Sequence, residues 1–387
     1  QAYVQPVVEG GDYRFTVRVG EPDEAAEVGT KAKGRGANFL CLVSGTPISG
    51  TYIKAEAQAG RMGARLMAIV AEGQRGRVYL TPTDDHETIA SSAAPDWKPD
   101  IEFFQQALGF RVGNYGMTQW SDLFTPRQLV ALGTFSALVP DAITRCRQDA
   151  LSAGMADDGA GLDADGASAN AYAEAVGTYL GLGVSRLADA QNALCQWGPS
   201  ADQTQHLFRR QAIPMVWDFA ESSVFSGAAG DFVTSIGSMC RVLDKFDVRS
   251  SGTAIHADAQ TQDVSTAKVV STDPPYYDNI GYADLSDFFY VWLRKSLKPI
   301  YPGLYATLAV PKAEELVATP YRHGDSRQAE SFFLNGMTQA MHNLAEKAHP
   351  AFPVTIYYAF KQSDTEAESG TSNTGWETFL QAVLDAG

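Results

Sequence analysis

The run Ala267-Lys268-Val269-Val270-Ser271-Thr272 stops at Asp273-Pro274-Pro275-Tyr276, and this junction constrains the chain more than any other stretch. Its β-branched lead-in has the pattern of a strand buried on both faces of a parallel sheet. Pro274 holds Asp273 extended, and two successive prolines make a stiff turn without amide hydrogens. The turn therefore falls at a strand's carboxyl end, the sheet edge where open α/β folds bind ligands.

Such a turn presents acceptors. The Asp273 carboxylate and the Pro274 carbonyl match the two hydrogens of a planar –NH₂ group, and Tyr276 offers a ring on which a flat heterocycle stacks. An aniline-like nitrogen is a poor nucleophile because its lone pair is delocalised, and two acceptors gripping its hydrogens favour the pyramidal form that attacks. These parts suit transfer of a sulfonium methyl group to an exocyclic amine, with catalysis resting on positioning. A rigid surface turn is the plainer alternative.

Asp273-Pro274-Pro275-Tyr276 resembles the catalytic signature of S-adenosylmethionine-dependent amino-methyltransferases that modify adenine or cytosine in DNA. Two longer stretches, 273–280 and 282–293, are similar to the large adenine-specific DNA methylases that carry a zinc-ribbon-like insertion, as are 121–129 and 210–221. The resemblance implies a Rossmann-like methyltransferase sheet, S-adenosylmethionine as cofactor, and DNA as partner. It gives Asp273, Pro274, Pro275 and Tyr276 catalytic roles and Tyr277 and Asn279 flanking substrate contacts. Residues 252–258 read as a short strand ending in Asp258, fifteen positions before Asp273. In the family an acid at such a strand end holds the cofactor's adenine amino group, which points to Asp258 and Ala259; a loop aspartate is the alternative.

A net charge of −15 is awkward for a DNA enzyme, because phosphate binding needs local positive potential. Between residues 31 and 77, however, Lys31, Lys33, Arg35, Lys54, Arg61, Arg65, Arg75 and Arg77 face only Glu56 and Glu72. This enrichment runs against the global charge and reads as a phosphate-contacting patch, with Arg61 and Arg65 as candidates; a solvated face is the alternative. Cys41-Leu42-Val43-Ser44-Gly45 resembles one knuckle of a zinc ribbon whose second cysteine has become serine, and no other paired ligand spacing occurs. No metal is expected. Asp163-Ala164-Asp165-Gly166 hints at a calcium loop, but Tyr172 stands where the closing glutamate belongs. The four cysteines are scattered, no run of about eighteen apolar residues occurs, and no signal pattern opens the chain. The expected compartment is the cytoplasm.

The remaining pattern divides the chain into a small antiparallel β module over 1–100, a helical region over 101–229 and the catalytic half over 230–387. Tyr13, Phe15, Val17 and Val19 alternate as one strand, and 65–71 with 77–80 read as a hairpin. Thr125-Pro126-Arg127-Gln128 caps a helix that Pro140 ends. Residues 153–169 form an acidic loop, and 170–195 a helix whose Gly177, Gly181 and Gly183 permit close packing. Arg209, Arg210 and Trp217 line a base-contacting surface or, for Trp217, the core. Asp284 caps a helix to Leu297, 302–327 is a loop serving as lid or target-strand contact, 330–349 a helix, 354–360 a buried strand, and Thr374 with Glu377 opens a final capped helix. The fold class is thus α/β, a partial Rossmann-like sheet with an inserted β module and a helical region.

No strand followed by a glycine-rich turn is present to hold the methionine part of the cofactor. The expectation is a natural protein extending before Gln1, with that N-terminal part as a partner and the present chain alone inactive. Alternatives are cytosine amino-methylation, methylation of an RNA or protein amide, or a non-catalytic DNA-binding subunit of a modification or defence system.

Overall fold

Alternation at the N-terminus closes a hairpin, β1 (Ala2–Glu9) with β2 (Asp12–Val19), antiparallel from Ala2 opposite Val19 to Glu9 opposite Asp12. Its turn uses Gly10 and Gly11 at φ 61° and 88°, angles that glycine adopts without steric cost. A computed structural model describes this chain over residues 2–32, 38–107, 109–247, 250, 252–278, 280–359 and 374–387. It divides into two compact units, the first comprising Gln1–Gln105, Arg111–Met239 and Trp292–Pro302, the second Gln106–Phe110, Cys240–Val291 and Gly303–Gly387.

In the first unit, α1 (Glu24–Val28) is followed by the two-residue strands β3 (Phe39–Leu40) and β4 (Pro47–Ile48), paired antiparallel around the Cys41–Ser44 knuckle. The Cys41 carbonyl accepts from the Gly45 N–H at 2.8 Å. Helix α2 (Gly50–Gln58) starts on Ser49, whose hydroxyl accepts from the Tyr52 N–H at 3.2 Å. The expected second hairpin is β5 (Ile69–Gly73) with β6 (Gly76–Leu80), ahead of α3 (Asp84–Ser91).

Helix α4 (Pro126–Ser152) opens on the expected cap, with Thr125 and Gln128 exchanging side-chain and backbone hydrogen bonds. It does not end at Pro140, which lies inside it. An interior proline costs about 3 kcal/mol. Leu129, Leu132 and Val139 are buried along the same helix, each worth roughly 1.5–3 kcal/mol, so packing outweighs the break. By length and hydropathy α4 is the one helix among the described residues able to cross a membrane; 22% of its apolar window is buried, and it packs on α5 (Ala169–Ala190).

The glycines of α5 allow close approach of its neighbours, α4 at Gly177 and Leu297 at Gly181. A Cβ at Gly177 would lie 2.4 Å from Ile143, and one at Gly181 2.7 Å from Leu297. Strands β7 (Gln196–Gly198) and β8 (Gln203–Gln205) form a short hairpin, and α6 (Phe232–Leu243) follows.

The second unit holds the parallel pair β9 (Ser271–Thr272) and β10 (Thr355–Ile356). Between them in sequence run α7 (Tyr282–Leu297), whose residues from Trp292 on belong to the first unit, α8 (Pro320–His323) and α9 (Ser326–Lys347), and α10 (Thr374–Asp385) comes last. Phe333, Met337 and Ala340 of α9 and Phe379 and Ala382 of α10 form a buried cluster against which Ile356 and Tyr358 pack.

Three expectations need correction here. The strand leading to Asp273 is not buried on both faces: Val269 is 65% exposed, and exposure alternates along 269–273 and 354–359. The α9 and α10 cluster covers one face only, and no layer covers the other among the described residues. Residues 252–258 are exposed, without regular secondary structure and outside any ladder among the described residues. Asp284 does not cap its helix; it lies inside the first turn of α7, where Arg322 binds it. Phe360 and the Thr374 side chain lie outside the described residues.

Candidate active site

Backbone chemistry shapes the turn after β9. Pro274 is buried while Asp273 remains exposed. The Pro275 carbonyl accepts from the Tyr277 N–H at 3.2 Å, which bends the chain and leaves Tyr277 in the left-handed region at φ 44°. That conformation costs a β-substituted residue about 1–3 kcal/mol. Two contacts hold it: the Tyr277 carbonyl accepts from the Ala318 N–H at 2.9 Å, and the Tyr277 ring meets Phe333 edge-on at 5.1 Å. Gly375 opens space for the ring, since a Cβ there would sit 3.1 Å from it. Burial pushes the Tyr277 hydroxyl up to about 12, with Glu330 and Asp278 adding to the rise.

The Tyr276 hydroxyl donates to Asp273 Oδ1 at 2.8 Å, and this bond holds the phenol above its ordinary range. Its ring stands edge-on to Tyr358 at 5.5 Å, and Tyr358 stacks on Phe379 at 3.9 Å. The tyrosine thus fixes the carboxylate through one oxygen and leaves Oδ2 available. No hydrogen bond to the Pro274 carbonyl occurs among the described residues.

Tyr282, the first residue of α7, belongs to the same neighbourhood and was not among the sequence candidates. Burial raises its hydroxyl, and so do the charges of Asp273 and Glu315. It is the third tyrosine of the run, six positions after Tyr276, but nothing in the sequence places it beside Asp273.

The segment between α7 and α8 is fastened rather than free. Tyr290 donates its hydroxyl to the Thr307 carbonyl at 2.9 Å; Asp287 accepts from the Val310 N–H and from Lys312 Nζ, each at 2.7 Å. Burial raises the Asp287 carboxyl despite that cation. Glu315 accepts from the Ala283 N–H at 2.8 Å and from Arg322, which also grips Asp284 at 2.6 Å. Ala318 then reaches the Tyr277 carbonyl. The loop expected as a lid is a strap along α7 that ends on the turn.

Asp258 stands differently. Its Oδ1 accepts from the Gln260 N–H at 2.9 Å and its carbonyl from Thr261 and Gln262, while the Ala259 carbonyl accepts from Asn343 at 3.1 Å. These bonds close a local turn. With no strand before Asp258 and no glycine-rich turn in the sequence, the described residues do not form a pocket for S-adenosylmethionine. Asn279 lies outside the described residues, as do Lys33 and Arg35.

In the N-terminal module, Arg61 pairs with Glu56 through two bonds of 2.7 and 2.8 Å. Arg65 donates to the Tyr13 carbonyl at 2.8 Å and lies over the Tyr13 ring. Both candidates are thus engaged within their own module. The Cys41 thiol is lowered by the Ser44 hydroxyl and by backbone N–H groups of the knuckle. Among the described residues no three His, Cys, Asp or Glu side chains converge as metal ligands. The stretches 121–129 and 210–221 do meet, through a bidentate Arg127–Glu221 pair with both bonds at 2.8 Å.

Comparison with models of known protein families, with curated proteins and with solved structures returned no match.

Proposed function

We propose that the chain carries the amine-capturing half of an S-adenosylmethionine-dependent methyltransferase of Rossmann-like fold, acting on the exocyclic amino group of adenine in DNA. The observation that carries this reading is the acceptor pair at the end of β9, an exposed Asp273 oriented through one oxygen by Tyr276 beside a Pro274 carbonyl that accepts no bond among the described residues. One amino hydrogen goes to Asp273 Oδ2 and the other to Pro274 O, so the nitrogen lone pair turns out of conjugation. A base reaches such a turn only when flipped from the duplex. Tyr276 supplies the stacking ring, and Tyr277 braces the turn from behind.

A second reading, a non-catalytic DNA-binding subunit of a modification or defence system, is favoured by the missing donor pocket. Methyl transfer from labelled S-adenosylmethionine to DNA by the protein separates the two. The proposal expects incorporation at adenine N6, reduced about a hundredfold or more by Asp273→Ala. Incorporation unchanged in that variant would remove the catalytic assignment, and none in the parent would favour the second reading.

A further inference from the structure

Asp273 has a neighbour across the parallel pair. Ser271 lies opposite Thr355 and Thr272 opposite Ile356, and the Thr272 carbonyl accepts from the Tyr357 N–H at 2.8 Å, so the next position in register sets Tyr357 beside Asp273. Side chains alternate between the faces of a strand, and positions level with each other on parallel strands point the same way. Exposure marks the two faces. Ile356 and Tyr358 pack on the α9 and α10 cluster, and Thr272 and Pro274 are shielded with them, whereas Ser271, Asp273, Thr355 and Tyr357 are exposed. The Asp273 carboxylate and the Tyr357 ring therefore rise from one face, on strands about 4.8 Å apart.

That ring is open. Tyr357 is 63% exposed, and among the described residues neither its ring nor its hydroxyl has a partner. The level behind it holds only Ser271 and Thr355, too small to cover an aromatic face. Tyr276 is committed differently: its hydroxyl binds Asp273, and its ring meets the edge of Tyr358, which faces the cluster. One ring is thus fastened on the inward side of Asp273, and another stands bare on the outward side.

A flat heterocycle whose amine meets Asp273 on the exposed face comes alongside Tyr357. Stacking on such a ring needs neither charge nor hydrogen bond from the heterocycle. An aliphatic amide offers no π face and would leave the ring unused. We infer that Tyr357 is a second base-stacking residue of the site, contributed by the strand next to the acceptor turn, and that it holds the heterocycle whether or not an amine is present. The inference rests on the reading of Asp273 as the amine acceptor for what brings a base to this face, but the two have separate readouts.

The test is calorimetric binding of adenosine and of purine riboside, which lacks the amine, to the full chain. Tyr357→Ala should weaken both about tenfold and leave their ratio as in the parent. Tyr357→Phe should bind both as the parent does, and Tyr357→Leu should resemble Tyr357→Ala. Because the ring is exposed, all three variants should keep the parent's denaturant midpoint. Parent-like affinity in Tyr357→Ala, a loss confined to adenosine, or an equal loss in Tyr357→Phe would each overturn the inference while leaving the Asp273 reading in place. A parent that binds both nucleosides alike, with Tyr357→Ala weaker for both, would instead remove the Asp273 reading and leave the stacking role standing. Binding of neither nucleoside by the parent would overturn both.

Discussion

The two strand pairs at β1–β2 and β9–β10 obey opposite rules. The N-terminal hairpin ladders along eight residues a side with a glycine turn between them, whereas the parallel pair matches only Thr355 with Ser271 and Ile356 with Thr272. Antiparallel neighbours joined by a tight turn need little beyond themselves. Parallel neighbours need a long crossover and cover on both faces, and here α9 and α10 cover one. The shorter pair nevertheless carries the acceptor turn. Its order comes from side chains outside the ladder, namely the Arg322 cluster, the strap and the rings around Tyr277 and Tyr358.

If that contrast holds, the largest loss comes from outside the strands. Arg322→Ala leaves Asp284, 3% exposed at its side chain, and Glu315 without their shared cation. It should cost the second unit about 3–5 kcal/mol, read as an earlier denaturant midpoint there with the first unit's transition unmoved. Gly375→Ala should cost about 1–3 kcal/mol, because its methyl group meets the Tyr277 ring; weaker amide-exchange protection at Tyr277 beside an intact β1–β2 hairpin would mark the site of damage. The smallest change belongs to the hairpin. Val17→Ala opposite Val4 should cost only about 0.2–1 kcal/mol, and a loss as large as that of Arg322→Ala would erase the contrast.

What was legible in the sequence was local. The Tyr13 to Val19 alternation and the Thr125 cap depend on neighbours within a few residues, and both stand where the pattern places them. Pro140 misleads because distant burial of Leu129, Leu132 and Val139 overrides a local break. The strap was hidden for a related reason: Asp284 and Asp287 sit three apart on α7, but Glu315, Lys312 and Arg322 come from over twenty positions further on. Residues 252–258 have strand-like composition, yet a strand exists only where a neighbour completes its hydrogen bonds, and no neighbour is named by their own sequence. At the turn itself the Asp273 and Pro274 acceptors were legible, while the Tyr276 bond that orients the carboxylate and the nearness of Tyr282 were not.

The central claim is that Asp273 and Pro274 grip an exocyclic amine. Its most direct measurement compares the binding of adenosine with that of purine riboside, the same nucleoside without the amino group, to the parent chain and to Asp273→Ala. The account predicts that the parent prefers adenosine by about tenfold, one to two charge-assisted hydrogen bonds, and that the variant binds both alike. Equal binding by the parent, or a preference that survives Asp273→Ala, would contradict it.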